Sequence, residues 1–243
     1  MPVRKPKAAL KFPSAPEPEP ARPPLSPAPV DPATLAEIFR RFHEANPEPQ
    51  GELEHINAFT LLVAVVLSAQ ATDAGVNKAT RTLFAIADSP EKMLALGEEQ
   101  VRDRIKTLNF LNTKARNVVA LSRRLVEGHG GQVPSDIAVL ETLPGVGRKS
   151  ASVVANIAFG QPHIAVDTHI FRVSNRIPLV VTATPLETQE ALEAIVPEAY
   201  KLHAHHWLIL HGRYVCKARK PECWRCLIRD LCRYELKTPA PAA

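Results

Sequence analysis

The sequence predicts an all-α protein. After residue 32, apolar residues recur at spacings of three and four, as in segments 35–42 and 118–125, which is the periodicity of amphipathic helices. Short polar breaks divide this part of the chain into ten or more helices, and β-like runs such as 179–181 are brief. The 243 residues, 45% of them hydrophobic, suffice to bury one large core or two small ones.

The basic excess of the chain is local. The net charge is +5 and the pI is near 9.1, which suggests an anionic partner, although such an excess alone more often means a solvated surface. Residues 213–237 hold eight basic and three acidic side chains. This segment therefore accounts for the excess of the whole chain.

No segment predicts a membrane span or a secretion signal. The longest apolar run, 58–71, is interrupted by Thr60, Ser68 and Gln70 and is shorter than the roughly 20 residues that a span needs. It predicts a buried core helix instead. The N-terminus does not combine a basic stretch, an apolar segment and a cleavage site, so we expect a cytoplasmic protein.

Polar residues and glycines mark several helix ends. Asn57, Thr72 and Ser135 stand where N-caps are expected, because their short polar side chains accept hydrogen bonds from first-turn amides. Gly160, followed by Pro162, predicts a helix stop.

The turn 143–147 predicts a phosphate-binding hairpin between two helices. We expect positive φ at Gly145 and Gly147, which would let the backbone approach another group closely, while Pro144 and Val146 pack the turn. Free amides and the dipole at the N-terminus of the next helix would favour an anion such as a DNA phosphate. Taken alone, the turn also fits an ordinary helical hairpin without a ligand.

Lys149 and Asp167 are the candidate catalytic residues. Lys149 falls in the first turn of the helix after the hairpin, where partial burial and the helix N-terminus would both favour the neutral, nucleophilic amine. Contact with a phosphate is an equally supported role. Asp167 begins another amphipathic helix, so it can act as an N-cap and also as a carboxylate that faces a cleft, stabilises positive charge on a deoxyribose and moves protons to or from Lys149.

All four cysteines lie within one short segment, at Cys216, Cys223, Cys226 and Cys232. In a reducing compartment such clustering favours metal binding over disulfides. Four thiolates suit either a tetrahedral zinc ion or a 4Fe-4S cluster, and ligand chemistry alone favours zinc. A metal that pins both ends of the loop would present Lys217, Arg219 and Lys220 to a phosphate backbone.

Residues 32–237 closely resemble the endonuclease III family, which comprises bacterial DNA glycosylases and abasic-site lyases of the helix-hairpin-helix superfamily. Three motifs carry the resemblance: the hairpin run 143–151, the run 164–173, and the cysteine spacing joined to the run 205–213. The run 67–73 is a fourth. The order and separation of these motifs also match the family.

The resemblance implies a two-domain helix-hairpin-helix DNA glycosylase fold. A six-helix domain would span about 51–161 and contain the hairpin at about 136–160, and an iron–sulfur cluster domain would combine 32–50 with 162–238. Prolines remove backbone donors and block helices, so the Pro/Ala-rich, basic residues 1–31 predict a disordered tail, which is inert, a weak DNA contact or a localisation signal. Residues 239–243 would form a flexible C-terminus.

The resemblance also implies the reaction. An oxidised pyrimidine would be extruded from double-stranded DNA, and Lys149 would attack the anomeric carbon to form a Schiff base, with Asp167 as its carboxylate partner. β-Elimination would then cut the strand 3′ to the lesion, and abasic sites would be cleaved in the same way. The four cysteines would ligate a 4Fe-4S cluster, which overrules zinc. The enzyme would be a monomer associated with the bacterial nucleoid.

The same resemblance implies further DNA contacts. Gly145, Val146 and Gly147 would hold the backbone, together with Ser68 and the cations of the cysteine loop. Gln70 would fill the gap left by the extruded nucleotide, unless it merely caps a helix. Phe110 stands where the family commonly has a smaller aliphatic wedge, and an aromatic wedge would shift the tolerance for the opposite base, unless the residue is buried in the core.

Two other functions stay open at this point. An adenine-mismatch glycosylase shares the hairpin and the cluster but typically lacks a lysine at the position of Lys149. A non-catalytic helix-hairpin-helix protein would use both features only to bind DNA, and it would need neither Lys149 nor Asp167.

Overall fold

The computed structural model describes residues 28–241, and within this range the protein consists of ten α-helices and one short 3-10 helix, without a strand. The all-α prediction is confirmed. The first 27 residues of the predicted tail and the last two of the chain lie outside the described residues. The predicted disorder is wrong for the end of the tail, because Val30 is buried, its amide donates to the Pro178 carbonyl at 3.0 Å, and Asp31 caps α1. The helices are α1 (Pro32–Ala45), α2 (Ala58–Leu67), α3 (Asp73–Phe84), α4 (Pro90–Arg104), α5 (Leu111–His129), α6 (Ile137–Glu141), α7 (Arg148–Phe159), α8 (Thr168–Arg176), α9 (Pro185–Ile195) and α10 (Glu198–Tyr214).

Side-chain caps start seven of the ten helices in residues 28–241. Asn57 and Thr72 cap α2 and α3 as predicted. The N-cap predicted at Ser135 is wrong, because its neighbour Asp136 accepts the Val139 amide at 2.9 Å and caps α6. Gly160, at φ 66°, ends α7 as predicted, since glycine adopts the left-handed conformation without strain.

The first hydrophobic core is built around α2. Every residue from Phe59 to Leu67 is buried, which confirms the core helix predicted within the run 58–71, although the helix ends at Leu67. α2 packs against α3, α5 and α7, and buried residues from 59 to 155 form one continuous apolar cluster. The hairpin and the wedge position belong to this part of the molecule.

The second core joins α1 to the C-terminal third of the chain. Its buried residues come from 30–42 and 164–228, mainly from α1, α8 and α10. The Trp207 indole N–H donates to the Asn46 carbonyl at 2.8 Å, and Arg41 pairs with Asp230. These contacts hold segments far apart in sequence in one unit. None of the helices in residues 28–241 is long and apolar enough to cross a membrane.

Candidate functional site

A cavity of about 320 Å³ opens beside the hairpin and is lined from both cores. The first core contributes the segment 50–55, the residues that follow α2, and one face of α7. The second core contributes one face of α10, from His205 to Arg213. The volume is in the range of small-ligand sites in proteins, so the cavity has room for a single nucleobase.

The hairpin that borders this cavity consists of α6, the turn 143–147 and α7. Gly145 has φ +81°, a conformation that favours glycine, and a Cβ there would lie 2.8 Å from Asn117 Nδ2, so the Asn117 side chain would have to shift. The positive φ expected at Gly147 is wrong: its φ is −101°, which is extended backbone. Val146 is buried and packs into the first core, as predicted for the turn.

The N-terminus of α7 is open to an anion. Gly147 is its N-cap and has no side chain, so the first-turn amides carry no side-chain cap. Gly147, Arg148 and Lys149 are all exposed. Unpaired amides and the positive end of the helix dipole together form the arrangement that binds phosphate in many proteins.

Lys149 is the second residue of α7 and lines the cavity. Its side chain is exposed, so the expected partial burial is wrong, and of the two expected influences only the helix N-terminus is present. The lysine therefore stands where the anion site and the cavity meet. Both predicted roles, nucleophile and phosphate contact, are compatible with this position.

Asp167 is the N-cap of α8, as the sequence predicts. Its Oδ1 accepts the amides of His169 and Ile170, each at 2.9 Å. Asp167 is not among the residues that line the cavity. Its helix-capping role is confirmed, and its catalytic role stays a prediction.

Sequence reasoning assigned no role to three charged residues of the cavity wall. Arg213 pairs with both Glu52 and Asp73, and the Tyr214 hydroxyl donates to Glu52. Burial acts to raise the pKa of Glu52, but Tyr214 and Arg213 outweigh it and leave that pKa lowered. No local pattern predicts this cluster, because its members come from the segment before α2, from α3 and from α10.

Two adjacent histidines of α10 were also missed as site residues. His205 and His206 are buried, line the cavity and pack edge to face with ring centroids 5.2 Å apart. Burial, reinforced by neighbouring cationic groups, lowers the pKa of His205 to about 3 and that of His206 to about 4. Both imidazoles are therefore neutral at pH 7, and the Nδ1 atom of each is buried without a hydrogen-bond partner.

Gln70 and Phe110 share an unusual backbone conformation. Their φ angles are 53° and 57°, and they are the two non-glycine residues with positive φ in residues 28–241. Asn109 Nδ2 donates to the Gln70 carbonyl at 3.5 Å, so the two positions are neighbours. Strained conformations of this kind cost about 1–3 kcal/mol each and are concentrated at functional sites.

The side chains of both residues project outward. Phe110 is 62% exposed, so the alternative of a buried core phenylalanine is wrong. α2 ends at Leu67 with Ser68 as its C-cap, so Gln70 lies beyond the helix end and does not cap it. Ser68 itself is half-buried and donates to the Val65 carbonyl at 2.8 Å.

The four cysteines surround one small cavity near the end of α10 and are all free thiols. No group of three or more His, Cys, Asp or Glu side chains in residues 28–241 is close enough to hold a single metal ion. A tetrahedral zinc site needs sulfur atoms about 3.8 Å apart, given Zn–S bonds near 2.3 Å. The four thiols around one cavity are a donor set that suits a metal centre.

Neighbouring groups complete this cysteine site. Arg176 Nη1 lies 3.5 Å from Cys216 Sγ, the Tyr234 amide donates to Cys232 Sγ at 3.5 Å, and His211 Nε2 lies 3.8 Å from Cys226 Sγ. Burial raises the pKa of the Cys226 thiol to about 11. A bound metal centre would compensate the charge of thiolates in such surroundings, and four cysteine thiolates are the usual ligands of a 4Fe-4S cluster.

The loop between the first two cysteines is held by Arg176, which donates to the carbonyls of Lys217 at 2.7 Å and Ala218 at 2.9 Å. Lys217 pairs with Glu222, so its charge is already partly compensated. Arg219 and Lys220 are exposed and have no ion pair within the described residues. Of the three predicted loop cations, these two are the freer to meet an anion.

The chain matches the family model of the HhH-GPD superfamily base excision DNA repair proteins over residues 63–198. It also matches the model of the iron-sulfur binding domain of endonuclease III over residues 216–232. Endonuclease III of Treponema pallidum is 55% identical over 195 residues, which cover 80% of this chain and 92% of the relative. Endonuclease III of Escherichia coli K12 is 53% identical over 205 residues, covering 84% and 97%.

Solved structures of endonuclease III are also similar to this chain. A trapped endonuclease III–DNA covalent intermediate superposes with a TM-score of 0.78 at 40% identity, covering 84% of this chain and 97% of that one. A thermostable thymine-DNA glycosylase, at 23% identity and a TM-score of 0.74, shares the fold.

Proposed function

Since the chain belongs to the endonuclease III family of helix-hairpin-helix base-excision repair enzymes, we propose that it removes oxidised pyrimidines from double-stranded DNA through a Schiff base on Lys149. The observation that carries this proposal is the position of Lys149, which lies between a cavity of nucleobase size and an uncapped helix N-terminus.

Family membership fixes the enzyme class. The chain is a DNA glycosylase with abasic-site lyase activity and carries a 4Fe-4S cluster. We assign the cluster to Cys216, Cys223, Cys226 and Cys232, whose shared cavity and free thiols fit it. The four cysteines would hold the cluster there, and the bound cluster would cross-link the chain segments around the basic loop that carries Arg219 and Lys220.

Lys149 supplies the covalent chemistry. Its neutral amine attacks C1′ of the damaged nucleotide, and the C1′–N bond to the base breaks as the base departs with the electron pair. The attached amine then loses a proton and the C1′–O4′ bond breaks, with O4′ taking up a proton, which opens the sugar ring and gives the imine. The imine acidifies the C2′ proton, and removal of that proton expels the 3′ phosphate, so the strand is cut 3′ to the lesion. A relative has been captured as an endonuclease III–DNA covalent intermediate, which supports this route.

Asp167 is the carboxylate partner of this reaction. One of its oxygens is held by the amides of His169 and Ile170, which fixes the carboxylate at the start of α8. The carboxylate stabilises positive charge on the sugar and accepts or returns protons of the amine.

DNA lies across the face that carries the hairpin, with its backbone held by the open amides of α7 and by Arg219 and Lys220. Gln70 and Phe110 enter the duplex beside the lesion. Their outward side chains, strained backbones and direct link through Asn109 support this role. Phe110 brings an aromatic wedge that stacks on bases.

We propose that the two cores mark the predicted domains. The six-helix domain, about 51–161, would hold the first core, and the iron–sulfur domain, 32–50 with 162–238, would hold the second, to which Val30 also belongs. A cavity lined by both would then be a cleft between domains. One chain carries all of the assigned parts, so the proposed active form is a monomer. Its binding to DNA would place it at the bacterial nucleoid.

Borohydride trapping tests the proposal. We expect the intact protein to form a covalent adduct with a duplex that contains dihydrouracil, and Lys149→Ala to form none. Lys149→Arg keeps the positive charge but lacks a primary amine, so it should bind abasic-site DNA yet form no adduct. If Lys149→Arg retained the lyase activity, the lysine would be a phosphate contact rather than the nucleophile.

Two further arms separate the alternatives. Asp167→Asn keeps the capping oxygen, so it should unfold like the intact protein while the chemical steps slow. Excision of adenine opposite 8-oxoguanine, without excision of dihydrouracil, would instead favour the adenine-mismatch activity. Binding without any strand cleavage would favour a non-catalytic DNA-binding protein.

A further inference from the structure

One face of α10 forms a wall of the cavity. His206, Ile209, Leu210 and Arg213 are spaced by three and four residues, so they share this face, and all four line the cavity. Arg213 is engaged by two carboxylates. His206 is the buried polar residue of this face that has no such partner.

The imidazole of His206 has one closed side and one open side. Its Nδ1 atom is buried without a hydrogen-bond partner. Its Nε2 atom lies 3.6 Å from the position that a Cβ of Gly51 would occupy, and Gly51 also lines the cavity. The missing side chain at Gly51 therefore leaves Nε2 uncovered.

The two nitrogens of a neutral imidazole have different roles, since one carries a proton and the other a lone pair. A buried N–H without an acceptor costs about 1–3 kcal/mol, so the proton is better placed on Nε2 than on the enclosed Nδ1. The low pKa of His206, about 4, keeps this tautomer uncharged at pH 7. The cavity wall thus presents an N–H donor.

Two stronger or nearby donors of the wall, Ser68 and Arg213, are already committed, and Gln50, Gln70 and Ser150 are less buried than His206. The Ser68 hydroxyl donates to the Val65 carbonyl, and the Arg213 guanidinium is held by Glu52 and Asp73. Under the proposed function, the Lys149 amine reacts with the sugar and not with the base. An uncharged, buried donor without a protein acceptor is suited to a neutral acceptor on the ligand.

We propose that His206 is a base-recognition residue whose Nε2–H donates to a ring carbonyl oxygen of the extruded pyrimidine. This inference rests on the proposed substrate class, because oxidised pyrimidines keep at least one such carbonyl. The hydrogen bond would hold the base while the bond to C1′ breaks. It would be absent once the base has left, so His206 acts in base excision and not in cleavage of an abasic site.

A matched pair of variants tests the inference. The amide N–H of His206→Gln reaches about as far as Nε2, whereas that of His206→Asn reaches only as far as Nδ1. We expect His206→Asn to slow single-turnover excision of dihydrouracil about tenfold or more, as the loss of one buried hydrogen bond implies. His206→Gln should stay within about threefold of the intact protein, and both variants should cleave a preformed abasic site at close to its rate.

Gly51→Ala gives a second route that keeps the imidazole. Its backbone is not left-handed, so alanine is tolerated, and the added methyl group would lie against Nε2. We expect slower excision of dihydrouracil with unchanged cleavage of abasic sites. Thermal unfolding and the visible absorbance of the cluster check that each variant is folded.

Three outcomes would overturn the inference. They are unchanged excision by His206→Asn and Gly51→Ala, an equal loss of both activities, or the same loss in His206→Asn and His206→Gln. The intact protein tests the proposed function separately. If it cleaves abasic sites but leaves dihydrouracil in place, the substrate class itself fails, and the inference fails with it.

Discussion

Replacing Gly145 by alanine should destabilise the hairpin, and the structure sets the size of the effect. An L-residue in the left-handed region costs about 1–2 kcal/mol, and φ at this position is +81°. The new Cβ would also lie 2.8 Å from Asn117 Nδ2 and 3.1 Å from Asn117 Cβ. Overpacking of this kind costs about 1–3 kcal/mol. We therefore expect a loss of about 2–5 kcal/mol in the free energy of unfolding.

Gly147→Ala is the matched control in the same turn. Its φ of −101° suits any residue, and no atom lies within 4 Å of the Cβ position. Its stability should change by no more than about 0.5 kcal/mol. Thermal unfolding can separate the two variants, because each kcal/mol lowers Tm by about 2–4 °C in a protein of this size.

A double variant divides the expected cost between its two causes. Asn117→Ala removes the amide that lies closest to the new Cβ, so it should relieve part of the overpacking in Gly145→Ala. The backbone strain should persist, because it does not depend on the neighbour. Equal midpoints for Gly145→Ala and Gly147→Ala would refute the reasoning, and so would full rescue by Asn117→Ala.

Three other changes have clear expected outcomes. Gly212→Ala should lower the free energy of unfolding by about 1–3 kcal/mol, because its Cβ would lie 3.0 Å from His169 Cβ and 3.3 Å from the His169 carbonyl. A denaturant titration measures this loss. Unchanged stability would contradict the close packing of α8 and α10. Lowering the pH from 7 to 5 should destabilise the protein by up to about 2 kcal/mol for each of His205 and His206, because their folded pKa values of about 3 and about 4 lie below the unfolded value of 6.5. The loss should be smaller in His206→Gln, and equal acid sensitivity would contradict the assignment. Phe110→Leu should alter the preference for the opposite base more than the rate of sugar chemistry, measured by excision opposite each of the four bases, and identical profiles would refute the wedge role.

Local signals predicted the parts of the fold that depend on neighbouring residues. α2 follows from an apolar run, and its start follows from Asn57, because a helix and its cap are both encoded within a few positions. The error at Ser135 has the same origin. Two good capping residues stand side by side there, and the local sequence does not decide between them, whereas in the folded chain Asp136 is the cap.

The residues that line the cavity could not be predicted from local sequence signals. Glu52, Asp73 and Arg213 meet because α10 packs beside the segments that flank α2, and nothing in their local sequence encodes that contact. The exposure of Lys149 and Phe110 was equally undetermined, since spacing gives the face of a helix but not what covers it. The chemistry of single residues could be predicted, but their surroundings required the folded chain.

A further prediction concerns the start of α7, where Gly147 provides no side-chain cap. Seven helices in residues 28–241 begin with a side-chain cap, and three, α5, α7 and α10, begin without one; α5 and α7 do so at the proposed DNA contacts Phe110 and Gly147. A capping side chain would occupy the amides that a phosphate needs. Gly147→Ser has suitable backbone angles and open space, so it should stabilise α7 by a few tenths of a kcal/mol.

The same substitution should weaken binding to abasic-site DNA, and Gly147→Asp should weaken it further, because its carboxylate repels the phosphate. Unfolding curves and DNA titrations at one fixed salt concentration measure the two effects side by side. If Gly147→Ser increased both the stability and the affinity for DNA, the amides of α7 would not hold a phosphate. Stability gained at the cost of binding would mean that this helix start is left uncapped for DNA.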